Sequence, residues 1–251
     1  MNIINPSISM KKEPSNDSPL ETECLFGESI EVIKKKSGWV YCRLTTDNYL
    51  GWIKLKGIGK LQKTTHRVCV NRSFIFLNKN PKSKCLMYLP MGARLAIEKI
   101  HLGWAEVHFF YEENIQKGYV PLNHIVNNEH KVDDWVETAE KLEGTPYKWG
   151  GRDTVGIDCS ALLQLSYQTY GENIPRNTYD QVNLKKPNVR EISNLRRGCV
   201  IFWEGHVGIM IDKINCIHAN AYHMNTVTEP LFDIINRMGK NQEIIKMMDF
   251  N

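Results

Sequence analysis

The chain lacks any apolar run approaching the ~18 residues that a membrane-crossing helix needs. It also lacks a Cys-x-x-Cys pair, although it carries seven cysteines at scattered positions: Cys24, Cys42, Cys69, Cys85, Cys159, Cys199 and Cys216. That pattern speaks against a zinc ribbon. The odd count leans toward a reducing compartment, because exported proteins tend to pair their thiols. Charge of either sign is in short supply as an excess. The net is +4 over 251 residues, with no basic tract interleaved with aromatics. Neither nucleic acid nor a membrane surface is indicated as a partner. Residues 1–10 contain Asn, Pro and Ser without an apolar core, and Lys11 and Lys12 follow rather than precede them. A secretory signal has the opposite layout, so a cytoplasmic protein is expected. What is present, 42% hydrophobic and 24% charged residues, suits a globular chain of one large or two to three small domains.

Four segments are expected. Residues 1–19 are polar and turn-rich and read as a flexible leader. Residues 20–62 read as short strands. Trp39, Tyr41 and Arg43 alternate with Val40, Cys42 and Leu44, Asp47-Asn48 gives a turn, and Tyr49 to Ile53 forms another strand. Residues 63–128 repeat the theme. Gly103-Trp104-Ala105-Glu106-Val107 answers Gly38-Trp39-Val40-Tyr41-Cys42, and Gly118-Tyr119-Val120-Pro121 answers Gly51-Trp52-Ile53-Lys54. Each predicts a small β-barrel. From residue 129 to 251 the periodicity changes. Trp135, Val136, Ala139 and Leu142 form a helical stripe preceded by Asp134, which has capping-box spacing to Glu137. A second helix starts at Asp158-Cys159-Ser160, with Asp158 as its N-cap. Strands follow at Cys199–Trp203, His206–Ile211 and Asn215–Asn220, with a further strand signal over Val227–Leu231. Helices followed by an antiparallel sheet make an α+β domain.

The chemistry centres on Gly150 to Gln164. A cysteine in the first turn of a helix faces unpaired N–H groups and the positive end of the dipole, which lower a thiol pKa. Cys159 is thus a candidate nucleophile, with a buried structural cysteine as the alternative. A nucleophile needs a base and the base needs an orienting group. His206 and His218 lie on neighbouring strands and can meet side by side, either as that pair or as two structural histidines.

Tyr147-Lys148-Trp149-Gly150-Gly151, Asp158-Cys159-Ser160, Pro175-Arg176, Arg197-Gly198-Cys199-Val200-Ile201-Phe202, His206-Val207-Gly208-Ile209 and Ile217-His218-Ala219 occur in this order over residues 132–250. Together they resemble the NlpC/P60 family of papain-like cysteine peptidases. The preceding strand modules resemble bacterial SH3-like (SH3b) domains, and the combination is similar to γ-D-glutamyl-L-diamino acid endopeptidases of the dipeptidyl-peptidase VI type. The resemblance implies Cys159 as nucleophile, His206 as base and His218 as third member, with helix-start N–H groups stabilising the oxyanion. It implies Asp158, Ser160 and Tyr147 as binders of a substrate ammonium, with a plain N-cap as the alternative for Asp158; Trp149 as a subsite residue or equally a core one; and Glu28 and Tyr49 as the wall closing the groove. It implies no metal and no cofactor. The expected activity is hydrolysis of the γ-D-Glu–diamino acid bond in free murein peptides with an N-terminal L-Ala. The alternatives are an endopeptidase on intact peptidoglycan and a non-catalytic SH3b binding protein. The chain departs from the family in having Ala161 where Gly commonly follows Asp-Cys-Ser, and Asn177 where an Asp or Ser commonly follows Pro-Arg.

Overall fold

The structure, a computed structural model, describes residues 1–111, 114–239 and 243–251. The chain divides into two compact units, Met1–His130 and Lys131–Asn251.

The first unit holds both strand modules. In the first, five antiparallel strands lie in the order Leu20–Leu25, Ser7–Lys11, Leu50–Lys54, Trp39–Leu44, Ile30–Lys36, and Asn2–Ile3 pairs separately with Ile58–Gly59. The expected flexible leader is therefore wrong. Ser7–Lys11 sits inside the sheet, and Ile3 and Met10 are fully buried beside Val40, Cys42, Leu44 and Ile53. Within Ser7–Lys11, Ile8 and Met10 alternate with Ser7, Ser9 and Lys11, which makes a half-buried strand, and the polar average concealed it. The second module repeats the layout: Cys85–Pro90, Arg72–Phe76, Asn114–Pro121, Trp104–Tyr111 and Ile97–His101 form one sheet, and Arg94–Leu95, His66–Val68 and Ile125–Asn127 form another.

The internal repeat extends to single bonds. The Leu55 N–H donates to the Gly38 carbonyl at 2.9 Å, and the Leu122 N–H donates to the Gly103 carbonyl at 3.0 Å. Both glycines have positive φ, +80° and +72°, a region L side chains adopt only at a cost. Each Gly-Trp strand thus begins at a left-handed turn that also catches the end of its neighbour. A single 3₁₀ turn follows in both cases, Leu55–Gly57 and Leu122–His124. It redirects the chain, so the next strand pairs in a separate short sheet. Closed barrels were expected; the hydrogen-bonded ladders among the described residues are open sheets with two ends.

In the second unit, helix α1 spans Val136–Lys141 and α2 spans Cys159–Gln168. Helix α3, Thr178–Gln181, and α4, Leu231–Met238, follow. Five antiparallel strands run in the order Asn225–Pro230, Asn215–Asn220, His206–Met210, Cys199–Trp203, Lys246–Asp249. Helix α2 packs on α1 and on the His206–Met210 and Asn215–Asn220 strands. Its residues from Cys159 to Tyr167 are all buried, so it is a core helix rather than a one-sided one. Trp135 and Tyr167 meet edge-to-face at 5.2 Å, and Tyr167 meets Phe250 at 5.1 Å. Such aromatic pairs add ~1 kcal/mol each beyond area burial, and these tie α1, α2 and the last strand together.

Two local expectations are revised. Asp134 accepts the Val136 N–H at 3.0 Å, so it serves a turn before α1 and not a capping box with Glu137. Arg197 then bonds Asp134 at 2.6 Å and Glu140 at 2.7 Å, fastening α1 to the sheet. The C-terminal strand at Lys246–Asp249, which pairs along Cys199–Trp203, had no recognised sequence signal.

Candidate active site

Asp158 is the N-cap of α2, its carboxylate accepting the Ala161 N–H at 2.8 Å. The turn before it is set by Gly150 and Gly151. Gly150 has φ +73° and donates its N–H to Asp158 Oδ2 at 2.9 Å. A Cβ on Gly151 would meet the Gly156 carbonyl oxygen at 2.2 Å, so the Arg152–Asp153/Gly156–Ile157 hairpin closes only on a bare Cα. Arg176 completes the arrangement with a bidentate pair, Nη1 to Oδ1 at 2.9 Å and Nη2 to Oδ2 at 2.7 Å, and is itself 2% exposed. Arg176 also donates to Ser160 Oγ at 2.6 Å, and Ser160 Oγ donates to Asp158 Oδ1 at 3.1 Å.

Cys159 therefore stands in the first turn of a helix whose entry is locked. It is nearly buried, and its Sγ lies 4.0 Å from the Gly205 carbonyl oxygen, with the Val207 and Ser160 N–H groups turned toward it. The expected lowering of the thiol pKa is not what results. Burial pushes the thiol up to about 12, and the Asp158 carboxylate adds to the rise; the N–H groups and Arg176 offset only part of it. Desolvation wins because the dipole is a partial charge, already largely answered by the Asp158 cap.

His206 comes from the strand after the Glu204-Gly205 turn, where Trp203 pairs with His206. The thiol thus touches the peptide groups flanking this imidazole. His206 Nε2 and His218 Nδ1 are 2.8 Å apart. The register between the two strands, Ile209 with Ile217 and Met210 with Cys216, sets the rings on a diagonal, with centroids 5.0 Å apart. Burial lowers His206 to about 3, with His218 and Arg237 pushing the same way and Glu229 opposing. His218 is buried, and burial lowers it too, against a rise from its bond to Glu229.

Sequence reasoning missed Glu229 and Arg237. Glu229 Oε1 lies 2.8 Å from His218 Nε2. Arg237 donates Nη1 to Glu229 Oε2 at 2.8 Å and Nη2 to Oε1. Burial raises the Glu229 pKa, but the Arg237 and His218 bonds outweigh it and hold it near 2. The available signal was weak: a carboxylate in the anticipated Val227–Leu231 strand, on the face that alternation gives Val227, the residue opposite His218.

A cleft of about 360 Å³ opens over this relay, lined by Tyr147, Glu204, His206, His218, Tyr222 and Arg237 among others. Tyr147 is pushed up to about 12 by burial, then by Cys159 and Asp158, so its hydroxyl keeps its proton. Trp149 is 70% exposed and is no core residue. Asp158 already takes five donor contacts, from Gly150, Ala161, Ser160 and twice from Arg176. A carboxylate offers about four lone-pair sites, so a substrate ammonium would compete with these. Glu28, in the first unit, is buried and accepts the Leu25 N–H at 2.7 Å. Tyr49, also there, bonds Glu21 through its hydroxyl at 3.3 Å and Asp47 through its N–H at 3.0 Å. The structure thus brings together Cys159, His206, His218, Tyr147, Asp158 and Ser160 in one unit, and gives Glu28 and Tyr49 local bonds in the other.

Residues 144–236 match the NlpC/P60 family, and residues 10–58 match the bacterial dipeptidyl-peptidase Sh3 domain. The chain is similar to a γ-D-glutamyl-L-lysine dipeptidyl-peptidase of Bacillus subtilis, with 25% identity over 86% of this chain and 79% of that one. It is also similar to the murein DD-endopeptidase MepS/murein LD-carboxypeptidase of Escherichia coli, with 39% identity over 43% of this chain and 60% of that one. In fold it resembles the crystal structure of an NlpC/P60 family protein from Bacillus cereus, with a TM-score of 0.83, 20% identity and coverage of 99% and 98%.

Proposed function

We propose that this chain, a peptidase with an NlpC/P60 domain behind a bacterial dipeptidyl-peptidase SH3 domain, hydrolyses the γ-D-Glu–diamino acid bond of free murein peptides in the cytoplasm. The observation that carries the chemistry is the thiol of Cys159 set against the His206 backbone, with His206 bonded to His218 at 2.8 Å. With the thiol near 12 and the imidazole near 3, the resting pair is neutral. Attack and proton transfer then go together. Sγ bonds to the γ-carbonyl carbon of D-Glu as its proton passes to His206, and the imidazolium returns that proton to the leaving amine of the diamino acid. Water, activated by the same imidazole, opens the thioester and releases L-Ala-D-Glu. The N–H groups at the start of α2 receive the oxyanion.

Tyr147 and Ser160 are the residues we assign to the L-Ala ammonium, with Asp158 behind them as the charge; Trp149 forms an exposed subsite edge. The name of the Bacillus subtilis relative supports the γ-glutamyl bond and the dipeptide product. The seven scattered cysteines support a reducing compartment. We read the second strand module as a second SH3-like domain, on the strength of the turn bonds it shares with the first.

The similarity to the Escherichia coli murein endopeptidase favours a second reading, action on intact peptidoglycan. Both are tested by incubating the protein, and its Cys159→Ala variant, with L-Ala-γ-D-Glu-diaminopimelate, the L-lysine analogue and whole cell wall, read by mass spectrometry. Release of L-Ala-D-Glu by the wild type, with a loss of at least about 10⁴-fold in the variant, is expected. No cleavage of either tripeptide would sink the proposal, and wall release indifferent to a free L-Ala end would install the second reading.

A further inference from the structure

We infer that Glu229 and Arg237 are positioning residues: acting through His218, they decide which nitrogen of His206 carries its proton. The inference rests on reading His206 as the base for Cys159.

The donors and acceptors along the relay fix this assignment. An ionised carboxylate only accepts. Glu229 stays ionised because Arg237 donates to both of its oxygens. Its 2.8 Å bond to His218 Nε2 therefore requires a hydrogen on that nitrogen. A neutral His218 then has a bare Nδ1, which can only accept. The 2.8 Å bond between the rings must be supplied by His206 Nε2–H. His206 is left with a bare Nδ1, the one ring nitrogen still available to take a thiol proton.

Asn220 makes the opposite demand. Its Oδ1 accepts the His223 N–H at 2.8 Å, which fixes the amide and turns Nδ2 toward His218 Nε2 at 3.1 Å. Were Asn220 to donate there, His218 would hold its hydrogen on Nδ1 and give it to His206 Nε2. His206 would then carry its own hydrogen on Nδ1 and face the thiol as a donor, unable to act as base. His218 Nε2 cannot serve both partners. The charged acceptor at the shorter distance prevails over the neutral donor. The relay thus has two self-consistent proton arrangements, one productive, and Glu229 selects it.

Arg237 has a second part in this. A carboxylate alone would draw a second proton onto His218, and a doubly protonated His218 would also donate to His206. Burial of His218 opposes that pull, and the guanidinium offsets a further part of it. Among the described residues, the other groups near Glu229 and Arg237 include His223, with Nε2 3.5 Å from Glu229 Oε1, Tyr222, whose ring lies 4.5 Å from the Arg237 guanidinium, and Asp233, whose charge also acts on Arg237.

Glu229→Gln in the full chain is the test. It keeps the shape but allows the side chain to donate. Three readouts apply: kcat and KM on the tripeptide, ¹⁵N imidazole spectra reporting ring tautomers, and the rate of Cys159 alkylation by iodoacetamide at pH 7, followed by mass spectrometry. We expect kcat to fall about 100-fold with KM within about twofold, the His206 hydrogen to move to Nδ1, and alkylation to slow in parallel. A merely structural glutamate would leave the tautomer unchanged. Unaltered tautomers, or kcat retained within about twofold, would overturn the inference. Alkylation and spectra need no peptide, so a wild type that cleaves neither tripeptide would refute the proposed substrate and still leave this inference decided. Should Glu229→Gln not fold, Arg237→Met keeps the carboxylate and removes the counter-charge. It is expected to give His218 a second proton and the same switch in His206, and an unchanged spectrum would count against the inference.

Discussion

Asp158–Arg176 and Glu229–Arg237 are one chemistry in two settings. The first stands at the start of α2 beside Cys159, with both side chains under a tenth exposed. The second stands at the far end of the histidine relay, 14% and 24% exposed, at the wall of the cleft. In the first pair both carboxylate oxygens are filled by backbone and side-chain donors, so the pair holds a piece of chain in place. In the second, one oxygen is given to His218, so the pair passes a constraint on to another group. Burial decides the difference. A sealed ion pair costs most when one partner is removed, whereas an accessible one costs little and is free to act on its neighbour.

The largest expected effect tests that contrast directly. Arg176→Met should cost about 3–5 kcal/mol of unfolding free energy in urea titrations, and Asp158→Asn a similar amount. The double variant should cost less than the sum of the two, since each single change strands a buried charge. Arg237→Met, at a less deeply buried pair, should cost less than Arg176→Met while still lowering activity. Equal stability losses at the two arginines would erase the distinction.

The next effect is in pH. His206 titrates near its ordinary 6.5 when unfolded and near 3 when folded. Between those values the unfolded chain holds one more proton, so stability is fully present above about 6.5 and is lost as pH falls toward 3. The slope is up to about 1.4 kcal/mol per pH unit. His206→Gln should flatten the stability–pH curve over this window by up to that amount, read by urea unfolding at several pH values. An unchanged slope would mean that His206 is solvated in the folded protein.

Much of this was legible in the sequence. The alternation of Trp39 to Leu44 was readable as a strand with Val40, Cys42 and Leu44 sharing one face, and that face is fully buried. The repeat of Gly38-Trp39 by Gly103-Trp104 returns as the same turn bond. Asp158 was readable as an N-cap and is one. The strand hidden in residues 7–11 was not readable, because its partners lie at Leu20–Leu25 and at Trp52. Pairing is a non-local fact, and local polarity does not report it. Arg176 was visible as part of a motif, but its role as the partner of Asp158, eighteen residues earlier, was not.

The sequence by itself determined the local pieces: a glycine-paired turn, a capped helix opening on Cys159, and two strands each bearing a histidine. Spacing and turn chemistry suffice for these because they act over a few residues. The tertiary structure decided the electrostatics. A thiol expected to be acidic is held near 12, and an imidazole whose ordinary value is 6.5 is held near 3. A glutamate and an arginine without a motif end up bonded to each other, the glutamate also to the second histidine. Those outcomes depend on desolvation and on partners brought together by strand register and helix docking, and no window of sequence contains them.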